Sequence, residues 1–437
     1  MVGLRFLASA AGWLPAVALT LAAALPGQGP GGPPDPALLA IVGDRGAARA
    51  ERIQALEILA LRQHPLPLET LLRVRELSRG EGLEPWLRCL GLCGPGAVPE
   101  LRPFLKRRDP RVRAEAAYAL IRLDAEGGED LGRELLAARR QAEEVRVAAL
   151  RALAERASPF ARVLALRSLE SARGAFLLEC LAVLRRKPEE GDAPYLVDFL
   201  ERSEGRARRE AVALLQELTG YRIGDDPKTW RYFYLKHRTE GTPFRLEDGT
   251  TAREAPTLSY HGIPVLGAKV VFVLDASGSM EAVLPEVRRG PRTRAARAVE
   301  ELAGLLPRLP EDAAFDLVFF GTEVRSFAGD LVPRQPETLA EATRFLRNQV
   351  FDGGTNLYGG LAEAFRRPGV EEIFLLSDGE ATQGELVRAE EILARVERWN
   401  RWRNVRVNTV ALGATPAAIA FLNALARRHD GICRVIH

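Results

Sequence analysis

The sequence predicts a two-part fold: an N-terminal α-solenoid of stacked helix pairs, followed by a doubly wound α/β domain with a mostly parallel central sheet. Three observations predict it. Helical cores rich in Ala, Leu, Arg and Glu recur with starts at Ala50, Leu83, Arg111, Glu144, Ala175 and Arg206, at successive intervals of 33, 28, 33, 31 and 31 residues. From Ile263 onward, short apolar runs alternate with amphipathic helical patterns. Three clusters of short oxygen-bearing side chains fall at or beside the ends of those runs: Asp275-Ala276-Ser277-Gly278-Ser279, Thr355-Asn356 and Ser377-Asp378-Gly379.

At the N-terminus, residues 1–25 read as an export signal: Arg5 supplies the positive start, Phe6 to Leu25 is apolar, and Ala22-Ala23-Ala24 offers small residues for cleavage. Left uncleaved, the same run is long enough to anchor the chain in a bilayer. The expected location is therefore outside the cytoplasm, in the periplasm or cell envelope. Residues 26–36 are rich in Gly and Pro and read as a linker. A length of 437 residues exceeds one ordinary core. A net charge of only +3 carries no nucleic-acid footprint. The four cysteines (Cys89, Cys93, Cys180 and Cys433) form no metal-binding or redox motif and read as free thiols, Cys89 and Cys93 on one face of a helix.

Residues 37–220 form the predicted solenoid. A helix pair of this length cannot bury its apolar stripe alone and must stack on its neighbours. Asp109-Pro110-Arg111 shows how one core begins: Asp109 caps the helix, and Pro110 occupies a position that needs no amide donor. Residues 221–262 read as a capping helix and linker. Asp226 caps a helix that starts at Pro227, and the aromatic group Trp230, Tyr232, Phe233 and Tyr234 covers the end of the stack. Residues 239–262 are polar, with room for a short hairpin.

Residues 263–437 carry the α/β pattern. Strands are expected at Lys269–Asp275, Ala314–Gly321, Val324–Phe327, Glu372–Asp378, Arg406–Leu412 and Gly431–Ile436. Helices are expected at Thr293–Leu306, Glu337–Gln349, Leu357–Arg366, Glu385–Arg401 and Ala417–Arg428. A continuous apolar run such as Val270 to Leu274 fits a strand covered on both faces. In this architecture ligands bind beyond the carboxyl ends of the strands, where all three oxygen clusters fall.

Asp275, Ser277 and Ser279 alternate along the turn leaving the first strand, so three oxygens can face one point, with Gly278 easing the turn. Such a set suits Mg²⁺, with Mn²⁺ as the alternative. Ser277, Ser279 and Thr355 would bind directly, and Asp275 and Asp378 through retained waters. Asp352-Gly353-Gly354 gives Thr355 a pliable loop. On these residues, positions from about 264 to the end resemble a von Willebrand factor type A domain, which has a Rossmann-like fold. The Asp-x-Ser-x-Ser run from Asp275 to Ser279, together with Thr355 and Asp378-Gly379, matches that family's metal-ion-dependent adhesion site. The resemblance implies a divalent ion completed by an Asp or Glu carboxylate of a protein partner, and a role in adhesion or scaffolding. The helical part resembles HEAT repeats, best at the Arg111 core. The order of signal, HEAT-like repeats and this domain resembles envelope proteins of planctomycete-like bacteria. Arg288, Arg289 and Arg292 lie in an insertion-like stretch near the site and read as a solvated loop.

An enzyme is not expected. Ser277 and Ser279 lack a G-x-S-x-G elbow, and His64, His237, His261, His429 and His437 show no catalytic spacing. Ser277 stands where aspartyl-phosphate chemistry would want a second acid. A dinucleotide would need a glycine-rich turn where DASGSM stands. Another reading keeps the fold and changes the role: the solenoid's concave face, with Arg-rich helices such as Arg111–Arg122 and Arg206–Arg209, recruits the partner while the metal is structural.

Overall fold

The computed structural model describes residues 34–138, 140–245, 258–284 and 293–437. The signal-like segment and the arginines at 288, 289 and 292 lie outside them. The helical part begins with α1 (Pro36–Gly43), α2 (Arg49–Arg62), α3 (Leu68–Arg73), α4 (Leu83–Leu90), α5 (Val98–Leu101) and α6 (Pro110–Leu123). It continues with α7 (Gly128–Ala137), α8 (Glu143–Glu155), α9 (Pro159–Ser168), α10 (Gly174–Arg186), α11 (Ala193–Leu200), α12 (Gly205–Thr219) and α13 (Pro227–Glu240). Consecutive helices pair, and the second members α2, α4, α6, α8, α10 and α12 pack on one another in sequence. These six are the helices whose cores recur in the sequence. The cap expected of Asp109 is present, its side chain accepting from the Arg111 amide, with Pro110 in the first turn.

The end of the stack is covered by α13. Asp226 accepts from the amides of Lys228 and Thr229, and Trp230 is fully buried, its indole N–H donating to Gly224 O at 2.8 Å. Tyr232 departs from the expected cover. It is 63% exposed, because it points to the helix face opposite Trp230. The thiols also need one correction. α4 ends at Leu90, so Cys93 sits in the following turn and not on the helix face of Cys89, its Sγ 3.5 Å from Cys89 O. All four cysteines are free.

The second part opens with a hairpin, β1 (Ser259–Tyr260) and β2 (Ile263–Pro264), whose Tyr260 and Ile263 join the core. Then come β3 (Lys269–Asp275), α14 (Arg294–Leu305), β4 (Ala314–Phe320), β5 (Val324–Ser326), β6 (Val332–Pro333), α15 (Pro336–Arg347) and α16 (Leu357–Phe365). The chain closes with β7 (Glu372–Ser377), α17 (Ala389–Asn400), β8 (Arg406–Leu412), α18 (Pro416–Arg428) and β9 (Cys433–Ile436). The sheet order is β5-β4-β3-β7-β8-β9, with β6 also beside β4. Pairings among β4, β3, β7, β8 and β9 are parallel, while β5 and β6 run antiparallel to β4. Alternate residues face opposite sides. Val270, Phe272 and Leu274 pack toward α14 and α15, whereas Val271 and Val273 pack toward α16, α17 and α18. This is the two-sided cover that the continuous apolar runs require.

The face of the stack formed by α2, α4, α6, α8, α10 and α12 is not open. Helix α17 and the segment after it lie on it, so Ile58 and Leu61 of α2 share a core with α17, and Trp402 joins the core of the helical part. Each inner helix sends a charged side chain into this seam. Glu57 meets Arg395 at 3.3 Å and Arg398 at 3.0 Å, Glu84 meets Arg398 at 3.1 Å, and Glu115 meets Arg401 at 2.7 Å. Arg151 spans Glu179 at 2.6 Å and Arg401 O at 2.7 Å, and Glu210 meets Arg406 at 2.6 Å. Arg206, read as free to hold an acidic partner, instead donates to Glu371 O at 2.8 Å, and Arg209 donates to Leu266 O. The Arg206–Arg209 part of the recruiting surface expected of the stack is thus taken by the chain's own second part, while Arg111 and Arg122 stay exposed.

Candidate metal centre

β4 and β7 flank β3 on opposite sides, so the strand order reverses at β3 and leaves a crevice beyond the carboxyl ends of β3 and β7. Four of the five expected residues meet there. Asp275, the last residue of β3, is completely buried. Its Oδ1 accepts from the Ser277 amide at 2.9 Å and its Oδ2 from the Ser377 hydroxyl at 2.6 Å. The hydroxyls of Ser277 and Ser279 are 3.0 Å apart, and Ser279 donates to Asp378 Oδ1 at 2.8 Å. Hydrogen bonds thus link Asp275 to the Ser277 amide and, from the Ser277 hydroxyl, through Ser279 to the Asp378 carboxylate.

Thr355 arrives by a different route. Gly353 O accepts from the Gly278 amide at 3.2 Å, Asp352 N donates to Ala276 O at 2.9 Å, and Asn356 N donates to Gly321 O at 2.9 Å. These bonds dock the Thr355 loop against both the β3 and β4 exits. From the other side, Thr355 N donates to the Thr382 hydroxyl at 2.9 Å, and Thr355 O accepts from the amides of Thr382 and Gln383 at 3.0 and 3.3 Å. Thr355 is buried at this junction. Gly353 takes φ +71°, and a Cβ there would stand 2.2 Å from the Thr322 hydroxyl, so this loop position requires glycine. Gly278 differs from expectation: it has no positive φ, and a Cβ would meet only ordinary contacts, because the chain turns there as a short 3-10 segment.

The electrostatics are those of a site short of positive charge. Burial pushes the Asp275 carboxyl up to about 6, with Asp378 beside it adding to the rise and the bonds from Ser277 and Ser377 opposing it. Among the described residues no cation contacts Asp275. Asp378 is paired with the Arg294 guanidinium, which also reaches Ser279 O at 3.5 Å. No three of His, Cys, Asp and Glu cluster as a metal site among the described residues. The available donors are hydroxyls around two carboxylates, a hard oxygen set that fits Mg²⁺ or Mn²⁺ better than a softer metal. Sequence reading placed Ser377 in the third oxygen cluster without a role and missed Arg294 as a partner of this group. Arg294 had a signal: a cation in the first position of a helix opposes the helix dipole and needs a nearby anion.

Other titratable groups stand apart from this rim. His261 sits in the β1–β2 turn at φ +48°, and burial lowers its imidazole to about 4, with Arg297 adding to the effect. Glu372, at the opposite end of the sheet, accepts from the amides of Leu266 and Gly267 at 2.8 and 2.6 Å and from Asn408 Nδ2 at 2.7 Å. It is a structural clamp.

A strand-helix alternation around one parallel sheet, with its crevice at the β3 exit, defines the class: residues 268–435 match the family model of the von Willebrand factor type A domain, and this part of the chain is a domain of that type. Among curated proteins, inter-alpha-trypsin inhibitor heavy chain H1 of Mesocricetus auratus is 33% identical over 150 residues, covering 32% of this chain and 15% of the relative. Heavy chain H3 of the same species is 30% identical over 189 residues, covering 40% and 20%. The chain therefore spans only a small part of these relatives' length. Solved structures with similarity include a von Willebrand factor type A protein from Catenulispora acidiphila (TM-score 0.33, 22% identity, 39% of this chain and 38% of that one). Another is the PilB minor pilin of Streptococcus sanguinis (TM-score 0.31, 17% identity, 44% and 61%). No helix among the described residues is long and apolar enough to cross a membrane.

Proposed function

We propose that this is an exported, non-enzymatic adhesion or scaffold protein whose C-terminal domain holds Mg²⁺, or Mn²⁺ in its place, and through it engages an Asp or Glu carboxylate of a protein partner. Ser277, Ser279 and Thr355 would be the direct ligands, with Asp275 and Asp378 behind them. The observation that carries this reading is the chain of hydrogen bonds joining Asp275, Ser277, Ser279 and Asp378 at the reversal point of the sheet. Two buried carboxylates with one cation between them leave room for further positive charge, and neutral hydroxyl ligands leave a bound ion able to accept an anionic partner. The resemblance of these residues to the adhesion site of the matched domain family supports the same reading. The occupied inner face of the stack weighs against recruitment through the helical part.

Asp275→Asn tests the site, because the amide keeps an acceptor for the Ser277 amide and removes the charge. By calorimetry on the full chain, Mg²⁺ affinity should fall at least about tenfold while the melting temperature without metal holds or rises. Equal Mg²⁺ affinity in Asp275→Asn and the parent protein would sink the assignment.

A further inference from the structure

We infer that Arg294 is a built-in counter-cation of the metal centre, which neutralises Asp378 when no ion is bound and lowers the site's affinity for one. This rests on the metal-binding reading above and concerns how that site is tuned.

Three observations carry it. Arg294 pairs with Asp378 Oδ2, while the other oxygen of that carboxylate is held by Ser279, so the guanidinium completes the Asp378 shell that a divalent ion would otherwise share. The arginine stands at the first position of the twelve-residue helix α14, behind the N-cap Thr293, where the helix dipole disfavours a cation. Its placement therefore depends on the anion in front of it. Finally, the chain makes space for the side chain. Gly413, just past β8 at φ +62°, would with a Cβ stand 2.5 Å from Arg294 Nε, so the guanidinium lies in a slot that only glycine leaves open. That Nε is buried and has no partner among the described residues, which makes the Asp378 contact the main return for burying the group.

A cation held this close to Asp378 repels an incoming ion and competes for the same oxygens. Removing it should tighten metal binding and, without metal, leave Asp378 uncompensated. The two effects have opposite signs in one variant, which a purely structural arginine would not produce.

The test uses the full chain with Mg²⁺ in calorimetry and Mn²⁺ in electron paramagnetic resonance, comparing the parent, Arg294→Gln, Arg294→Lys and Asp275→Asn. Arg294→Gln should bind either ion about tenfold or more tightly than the parent. It should melt lower than the parent in EDTA and gain more on adding Mg²⁺. Arg294→Lys, which keeps the charge, should stay near the parent. If Arg294→Gln does not fold, Gly413→Ala takes its place: it crowds the slot, unseats the guanidinium and should likewise tighten the site. Affinity unchanged or weakened in the charge-removing or slot-filling variant overturns the role of Arg294 alone. Absence of measurable Mg²⁺ or Mn²⁺ binding in every protein, the parent included, overturns the metal reading and this inference with it.

Discussion

Asp275, Ser277, Ser279 and Asp378 are readable as a group because their spacing follows the strand ends, and the side chains between them are small enough not to block a common focus. What spacing could not reveal is charge balance, since Arg294 lies on a helix fifteen residues beyond Ser279. Gly360 is a second position where residue-level reading falls short. It sits inside α16, where helix propensity favours alanine by about 1 kcal/mol. A Cβ at Gly360 would stand 2.8 Å from the Phe320 ring, which is fully buried and cannot retreat. Gly360→Ala should therefore destabilise the protein, by about 1–3 kcal/mol in urea denaturation. A stabilising outcome would mean that α16 can move off β4. Because α16 begins two residues after Thr355, such a shift would also disturb the Thr355 loop.

At the scale of elements, the strands and helices of the second part lie close to where alternation and apolar runs place them, since a strand buried on both faces has little freedom of pattern. The exceptions are short. β6 is a two-residue pairing ending at Pro333, and the hairpin for which the sequence left room is the two-residue pair β1–β2, held by buried Tyr260 and Ile263. The helical cores were legible for the same reason, yet their purpose was only half visible. Glu57, Glu115, Glu179 and Glu210 stand in the middle of apolar helix cores, and each is at least nine-tenths buried. Carboxylates in such positions demand cations. Arg395 and Arg398 of α17, then Arg401 and Arg406 beyond it, supply most of them. α17 therefore has two faces at work, an apolar one on the sheet and a basic one on the stack. Arg398→Ala removes the cation shared by Glu57 and Glu84 and should cost about 3 kcal/mol in urea denaturation. A loss below about 0.5 kcal/mol would show that Arg395 alone suffices.

For the whole molecule, the seam between the two parts is ionic as well as apolar, so its strength depends on pH. Burial would raise the Glu397 carboxyl, but Arg88, His429 and Arg401 outweigh it and hold the group near 2, below its usual 4.5. Glu210 is likewise pushed up by burial and drawn well below the usual range by Arg406, Arg185 and Arg206. A depressed carboxyl contributes its full stability above the unfolded value and loses it as pH falls toward the folded one. The share of the melting temperature owed to these two carboxyls should hold from neutral pH to about 5 and then decline as pH drops from about 4.5 toward 2. Glu397→Gln should flatten part of that decline, and an acid profile identical to the parent's would remove Glu397 from the account. No pattern in the linear sequence pairs Arg88 with Glu397, because they lie 309 positions apart and only the packing of α4 on α17 joins them.

Helix α12 grips the sheet at its other end: Arg206 at Glu371, Arg209 at Leu266 and Glu210 at Arg406 all lie at or just before the first residues of β7, β3 and β8. This contact and the rim are thus separated by the full length of those strands, while α2 holds the start of α17 nearer the rim, where Arg62 pairs with Glu390 at 2.6 Å. A pull between the rim and α12 would run lengthwise along parallel strands, loading their ladder in shear and not peeling it open one rung at a time.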